Sequence, residues 1–362
     1  MKKLLMPYTK GGMAIKNHIV MAPMTRSRAI DNLPNELMVD YYGQRTGAGL
    51  IITEGTAPTP EALGYPRIPG IFSQDQVTAW QRVTDKVHKD GSKIFLQLMH
   101  TGRIGHTENL PKGLALIGPS GIGAKGQIFT DTLGMQDYSQ PASLSEEGIA
   151  NVISGFATAA KNAIAAGFDG VELHGANGYL LEQFLNPHVN NRTDAYGGTI
   201  ENRARFAVQV ASSVTEAIGK DKVGIRFSPF STLGDLAQYD EEETHQTYRY
   251  LASELNKLQI LYLHIGVNYP IPDKTLQAIR KAFTRTIILC NGLTVETGEA
   301  ALHSGFADIV AFGRSFLSNP DFVERIKNEA PLNPVDFSTL YTPGAAGYTD
   351  YPALKGSLVI ND

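Results

Sequence analysis

Short runs of apolar and β-branched residues recur along the chain, and most are followed by a helix-length stretch carrying an apolar stripe. The runs fall at residues 18–25, 50–56, 94–100, 170–174, 223–229, 260–266, 286–292 and 308–314. The helical stretches fall at 35–46, 74–90, 145–166, 200–218, 241–257, 273–282, 294–303 and 320–328. Within 150–166 the apolar positions return at three- and four-residue steps, as one buried helix face requires. Thr294-Val-Glu-Thr and Asp240-Glu-Glu-Glu have the cap and acidic first turn of helix N-termini. Gly91, Gly167 and Gly305 stand where helices would end in a left-handed residue.

Eight strand–helix alternations predict an α/β fold with a parallel sheet, and eight units favour closure into a (β/α)8 TIM barrel over a doubly wound open sheet. An open sheet would place its ligand behind a Gly-rich turn after the first strand. No G-x-G-x-x-G follows 18–25, and polar residues decorate several strand ends instead. Two stretches exceed the minimal barrel. Residues 1–17 are expected to form an N-terminal cap, and the Gly-rich excursion 101–144, after the third strand, a lid or small subdomain over the C-terminal face.

Composition changes one part of this picture. At ~150 residues per domain, 362 residues suggest two or three domains, whereas a barrel accounts for 1–362 as one. With 42% hydrophobic and 19% charged residues the chain can bury a large core. A single cysteine, Cys290, excludes an intrachain disulfide, a cysteine zinc site and an iron–sulfur cluster. A net charge of −4 gives no reason to bind nucleic acid or an anionic membrane. The apolar residues before Pro7 are too few for a signal sequence, and no apolar stretch reaches ~18 residues. A soluble cytoplasmic protein, monomer or homodimer, is expected.

In a barrel the chemistry belongs at the strand ends. Those ends read Ala22-Pro23-Met24-Thr25, Glu54-Gly55-Thr56-Ala57, Gln97-Leu98-Met99-His100, Glu172-Leu173-His174, Arg226-Phe227-Ser228, His264-Ile265-Gly266, Asn291-Gly292 and Gly313-Arg314. None carries the Lys of a Schiff-base enzyme, and two acids, Glu54 and Glu172, are too few for a divalent-metal site. There is no G-x-S-x-G, and no metal is expected. Neutral polar groups, two arginines and glycine backbones suit a cradle for a cofactor that carries the chemistry itself. Asn291-Gly292 and Gly313-Arg314 end adjacent strands where many barrels bind phosphate, although such turns are also common without a ligand. Inward-pointing Arg226 and Glu172 are expected to form a charge pair.

Three segments carry a family resemblance: Ala22-Pro23-Met24-Thr25-Arg26; His174-Gly-Ala-Asn177-Gly-Tyr179-Leu-Leu-Glu-Gln-Phe184-Leu-Asn-Pro187; and Asn191-Arg192-Thr193-Asp194-Ala-Tyr196-Gly197-Gly198. Together with Gln97-Leu-Met-His100-Thr-Gly-Arg103 and Gly347-Tyr-Thr-Asp-Tyr351-Pro352, they make nearly the whole chain resemble the old yellow enzyme family of FMN-dependent ene-reductases. The resemblance is close to its bacterial N-ethylmaleimide reductase branch.

The resemblance implies a tightly bound, non-covalent FMN and a nicotinamide reductant, NADPH or NADH. The flavin phosphate would sit on Gly292, Gly313 and Arg314. Arg226 would lie where negative charge develops on reduction. Gln97 would meet the pyrimidine edge, Thr25 the O4 edge, and Pro23, Met24 and Ala57 would pack around the ring. His174 and Asn177 would bind the activating oxygen of an electron-poor alkene, and Tyr179 would protonate its α-carbon after hydride arrives. Tyr65, Met99 and Tyr351 would line the substrate pocket. One pocket shared by both substrates implies ping-pong kinetics. Met99 stands where several relatives carry Trp, and Asn177 where some carry a second His, leaving His174 as the pH-sensitive donor. Other readings are an FMN barrel dehydrogenase that oxidises its substrate, a flavin-free lyase, or a flavin-binding protein without turnover.

Overall fold

The computed structural model describes residues 2–266, 269–290 and 292–354. Eight parallel strands close into a barrel in sequence order: β1 (Ile19–Met21), β2 (Leu50–Ile52), β3 (Lys93–Leu98), β4 (Gly170–Gly175), β5 (Val223–Phe227), β6 (Tyr262–Gly266), β7 (Thr286–Cys290) and β8 (Ile309–Phe312). The covering helices are α1 (Glu36–Gly43), α2 (Gln74–Lys89), α3 (Glu146–Ala165), α4 (Ile200–Ile218), α5 (Glu241–Lys257), α6 (Asp273–Ala282), α7 (Val295–Ser304) and α8 (Phe322–Asn328). The (β/α)8 architecture therefore stands, with shorter strands than the apolar runs suggested. In 18–25 only three residues are ladder-paired, and Pro23, which has no N–H to donate, cannot extend the ladder.

Capping agrees with the sequence signals. Asp240 accepts from Glu243 N at 2.9 Å, and Thr294 from Thr297 N at 3.2 Å. Gly91, Gly167 and Gly305 take φ of 71°, 86° and 79°. Two short helices escaped the sequence reading: Leu180–Leu185 after β4 and Arg314–Ser318 after β8. Each is too brief to show a helical period.

Apolar residues fill two layers. One lies between strands and helices, with Trp80, Phe156, Phe206 and Leu251 fully buried. The other fills the barrel with Val20, Leu50, Phe95, Tyr262, Ile288 and Ile309. That inner cluster takes in Tyr8, Met13 and Ile15 of the N-terminal hairpin (Tyr8–Lys10 with Met13–Ile15), and the Tyr8 and Thr286 hydroxyls bond at 2.8 Å. The excursion 101–144 is not structureless. It holds an antiparallel hairpin, Gln127–Thr130 with Gly134–Asp137, and a short parallel pair, Ile117–Gly118 with Ala142–Ser143. No helix among the described residues is long and apolar enough to cross a membrane.

Candidate active site

Polar side chains replace apolar ones toward the C-terminal mouth of the barrel. Register explains which meet. Glu172 on β4 lies beside Gln97 of β3, while His174, two residues higher, lies beside Arg226 of β5. Glu172 accepts from Gln97 Nε2 at 2.8 Å and pairs through its other oxygen with His264 Nδ1 at 2.8 Å. All three side chains are buried. Burial pushes the Glu172 carboxyl up, but His264 and Arg226 outweigh it and hold the group below its ordinary range. His264 is correspondingly raised by Glu172 against the effect of burial.

The expected Arg226–Glu172 charge pair does not form. His264, register-paired with Arg226 on the next strand, makes the close pair with Glu172 instead, and Arg226 acts on that carboxylate through its charge alone. Arg226 Nε has no hydrogen-bond partner among the described residues. Its guanidinium packs against Gly266, where a Cβ would fall 2.5 Å from a guanidinium nitrogen and displace the arginine head.

Above this layer opens a cavity of about 830 Å³. Of the expected site residues, Pro23, Thr25, Tyr65, Gln97, Met99, His174, Asn177, Tyr179 and Arg226 line it. His174 and Tyr179 meet edge to face, with ring centroids 4.8 Å apart. The Tyr179 hydroxyl donates to that of Tyr65 at 3.2 Å, and burial pushes the Tyr179 phenol up to about 12. Burial, with the charge of Arg226, holds His174 well below the usual histidine range, and its Nδ1 has no partner among the described residues. His174 is therefore a neutral imidazole at ordinary pH rather than the pH-sensitive donor that its residue type suggested.

The remaining expected residues lie elsewhere. Ala57 is fully buried in the cluster that holds Met99 and packs Tyr65 and Tyr179. Met24 packs beside Gly313. Gly292, at φ 61°, and Gly313 with Arg314 follow the adjacent strands β7 and β8 and do not line the large cavity. Arg314 is exposed, with its guanidinium carbon 5.7 Å from the Phe337 ring centroid. Asn291 of that expected phosphate end lies outside the described residues. Tyr351 is not in the cavity wall; its hydroxyl accepts from Asp336 N at 2.9 Å. Tyr341 and Phe337, ahead of it in the same C-terminal segment, line the mouth instead.

The excursion 101–144, expected over the C-terminal face, adds Ile128, Phe129 and Met135 of its hairpin to the cavity lining, residues that the sequence did not single out. Ile128 and Phe129 are both apolar, so the sequence does not show that one is buried and the other exposed. Arg67 links the two walls. It donates to Asp131 of the hairpin and, at 2.9 Å, to the carbonyl of Tyr341. Cys290, the last residue of β7, packs against the inner barrel cluster. Among the described residues no His, Cys, Asp and Glu cluster could hold a metal ion.

Comparison with known proteins agrees with this arrangement. The family model described as NADH:flavin oxidoreductase / NADH oxidase matches residues 3–333. The putative 12-oxophytodienoate reductase 11 of Oryza sativa subsp. japonica is 42% identical over 365 aligned residues, covering 98% of each chain. Morphinone reductase, solved in complex with tetrahydroNAD, superposes with a TM-score of 0.94 at 40% identity over 98% of each chain. The old yellow enzyme homologue from Zymomonas mobilis gives 0.91 at 39% identity over 97% of this chain and 100% of that one. Because the match runs from the N-terminal cap through the eighth helix, the chain belongs to the NADH:flavin oxidoreductase / NADH oxidase family, the family of the old yellow enzymes.

Proposed function

We propose that the protein is an FMN-dependent NAD(P)H oxidoreductase that reduces the C=C bond of electron-poor alkenes: α,β-unsaturated carbonyls, maleimides and nitroalkenes. The observation that carries this reading is the convergence of His174, Asn177 and Tyr179 on one cavity whose floor holds Arg226 and Gln97. That floor suits FMN. Arg226 Nε is buried and without a partner among the described residues, so a ring edge that accepts a hydrogen bond and bears negative charge would satisfy it. Gln97 is held by Glu172, which fixes its amide for a ring edge, and Thr25 and Pro23 lie on the same wall. Gly292, Gly313 and Arg314 would take the phosphate, the exposed Arg314 guanidinium supplying its charged partner.

FMN, when bound, supplies hydride transfer between a reduced nicotinamide and the alkene. The chain's own residues supply the rest. Neutral His174 and the Asn177 amide donate to the carbonyl or nitro oxygen and stabilise the enolate-like charge that builds there. Neither needs to gain or lose a proton to do so. Tyr179, kept protonated by burial, holds the proton that the α-carbon takes up. Met99, Tyr65 and the apolar hairpin residues exclude water around them. Morphinone reductase holding tetrahydroNAD supports a nicotinamide in this pocket; NADPH is the proposed physiological reductant. The N-ethylmaleimide reductase branch, a cytoplasmic location and a monomer or homodimer complete the proposal.

Denaturing the purified protein should release FMN at about one equivalent per chain. Arg226→Ala should lower that occupancy, because a buried cation facing the ring edge is lost. A protein that purifies colourless and takes up no added FMN contradicts the reading.

A further inference from the structure

Behind the turn that presents Asn177 and Tyr179 lies a buried carboxylate that the proposed chemistry does not use. Glu182, in the helix Leu180–Leu185, is 2% exposed. One carboxylate oxygen accepts from Gly178 N at 2.7 Å. The other accepts from the Ser228 and Tyr248 hydroxyls, both at 2.7 Å. Ser228 Oγ in turn accepts from Asn177 N at 2.7 Å. Glu182 thus holds two successive backbone N–H groups of the turn, one directly and one through Ser228. Both residues of that turn are left-handed, Asn177 at φ 58° and Gly178 at φ 81°. Asn tolerates this backbone better than most residues, and the hydrogen bonds to Ser228 and Glu182 hold it there.

We propose that Glu182, acting with Ser228 and Tyr248, is a positioning residue that holds the Asn177–Gly178 turn so that the Asn177 amide meets the activating oxygen of the alkene. The proposal rests on the ene-reductase reading of the cavity. It gives alkene binding a pH dependence that His174 does not supply. Burial pushes the Glu182 carboxyl up to about 7, against the donors from Gly178, Tyr248 and Ser228. The other ionisable groups beside it are three tyrosines and an ion-paired arginine. Tyr248 on α5 and Tyr239 and Tyr269 in the loops after β5 and β6 are all raised by burial. Arg203 of α4 is paired with Glu243 at 2.6 Å. As a carboxylate Glu182 accepts from all three donors. Protonation turns one carboxyl oxygen into a donor, so Ser228 or Tyr248 must turn to accept from it and the carboxylate's charge-assisted hold on the turn weakens. Alkene affinity should therefore fall as the pH drops through about 7.

The test uses the FMN-loaded enzyme without oxygen, with 2-cyclohexenone as the probe. Its dissociation constant is read from the concentration dependence of flavin reoxidation between about pH 5.5 and 8.5. The wild type should bind about tenfold more weakly on the acid side, the size of one lost hydrogen bond to a charged group. Glu182→Gln should bind weakly throughout with no pH dependence. Tyr248→Phe removes one donor that favours the carboxylate, so its midpoint should move upward. It decides the question alone if Glu182→Gln does not fold. A wild-type pH limb that persists in Glu182→Gln, or a midpoint unmoved in Tyr248→Phe, overturns the proposal. A pH-independent wild-type dissociation constant, with reoxidation intact, overturns it while leaving the ene-reductase reading standing. No reoxidation of the wild type at any pH overturns both.

Discussion

At the scale of single residues, environment sets the chemistry more than residue type does. Burial leaves His174 and His100 neutral, His100 falling to about 3, while the Glu172 carboxylate moves His264 the opposite way. An NMR titration of the histidine side chains from about pH 8 to 5 should show His174 and His100 unprotonated throughout, and His264 gaining its proton above the usual range near 6.5. A His174 titration near 6.5 would contradict a neutral donor. The sequence motifs placed His174, Asn177, Tyr179, Gln97 and Arg226 at one mouth, because motif and strand parity both survive folding. They did not reveal the partner of Glu172. Arg226 and His264 are register partners on adjacent strands, so the choice rests on which side chain reaches the carboxylate, and no local pattern encodes that. Tyr351 was misplaced for a similar reason: a Tyr beside a Pro near the C-terminus gives no direction for its side chain.

At the scale of elements, the informative piece is the turn after β4. A Cβ on Gly178 would lie 2.2 Å from the carbonyl oxygen of Leu233, and the residue's φ is 81°. Gly178→Ala should cost on the order of 1–3 kcal/mol in chemical denaturation. It should also lower kcat/KM for the alkene while FMN remains bound, since the cofactor floor lies on other strands. A variant with normal stability and normal alkene kinetics would show that the turn does not hold Asn177. The long helices were legible with little error: 200–218, 241–257 and 273–282 match α4, α5 and α6. α4 and α5 have several turns of periodic pattern and polar caps at Thr199 and Asp240, and α6 begins behind Pro272 with Asp273 in its first turn. The six-residue helix behind Tyr179 was not legible, since Leu180–Leu185 is buried on every side.

At the scale of the molecule, the cavity is closed by chain segments far apart in sequence. Arg28 donates to the carbonyls of Thr339, Leu340, Gly344 and Ala346, and Arg26 to those of Leu340 and Gly347. Tyr41 and Tyr348 stack beneath them, centroids 4.1 Å apart. These arginines follow the first strand and fasten the segment that carries Tyr341 to the barrel mouth. Arg28→Ala should free that segment. Limited proteolysis should then cut near 337–346 sooner than in the wild type, and KM for alkenes should rise with FMN retained. Unchanged cleavage would mean the segment is held by other contacts. The barrel itself was legible from eight alternating patterns. This closure was not, because it depends on contacts across some three hundred residues.

The central claim is that one cavity lets a nicotinamide and an alkene exchange a hydride in turn, with Tyr179 completing the second step. Anaerobic stopped-flow spectroscopy of the FMN-loaded protein tests it most directly. NADPH should bleach the flavin absorption, and 2-cyclohexenone should restore it. Tyr179→Phe should slow the restoration by about 10²-fold or more while leaving the bleaching nearly intact. A flavin that NADPH reduces but that no electron-poor alkene reoxidises would contradict the account.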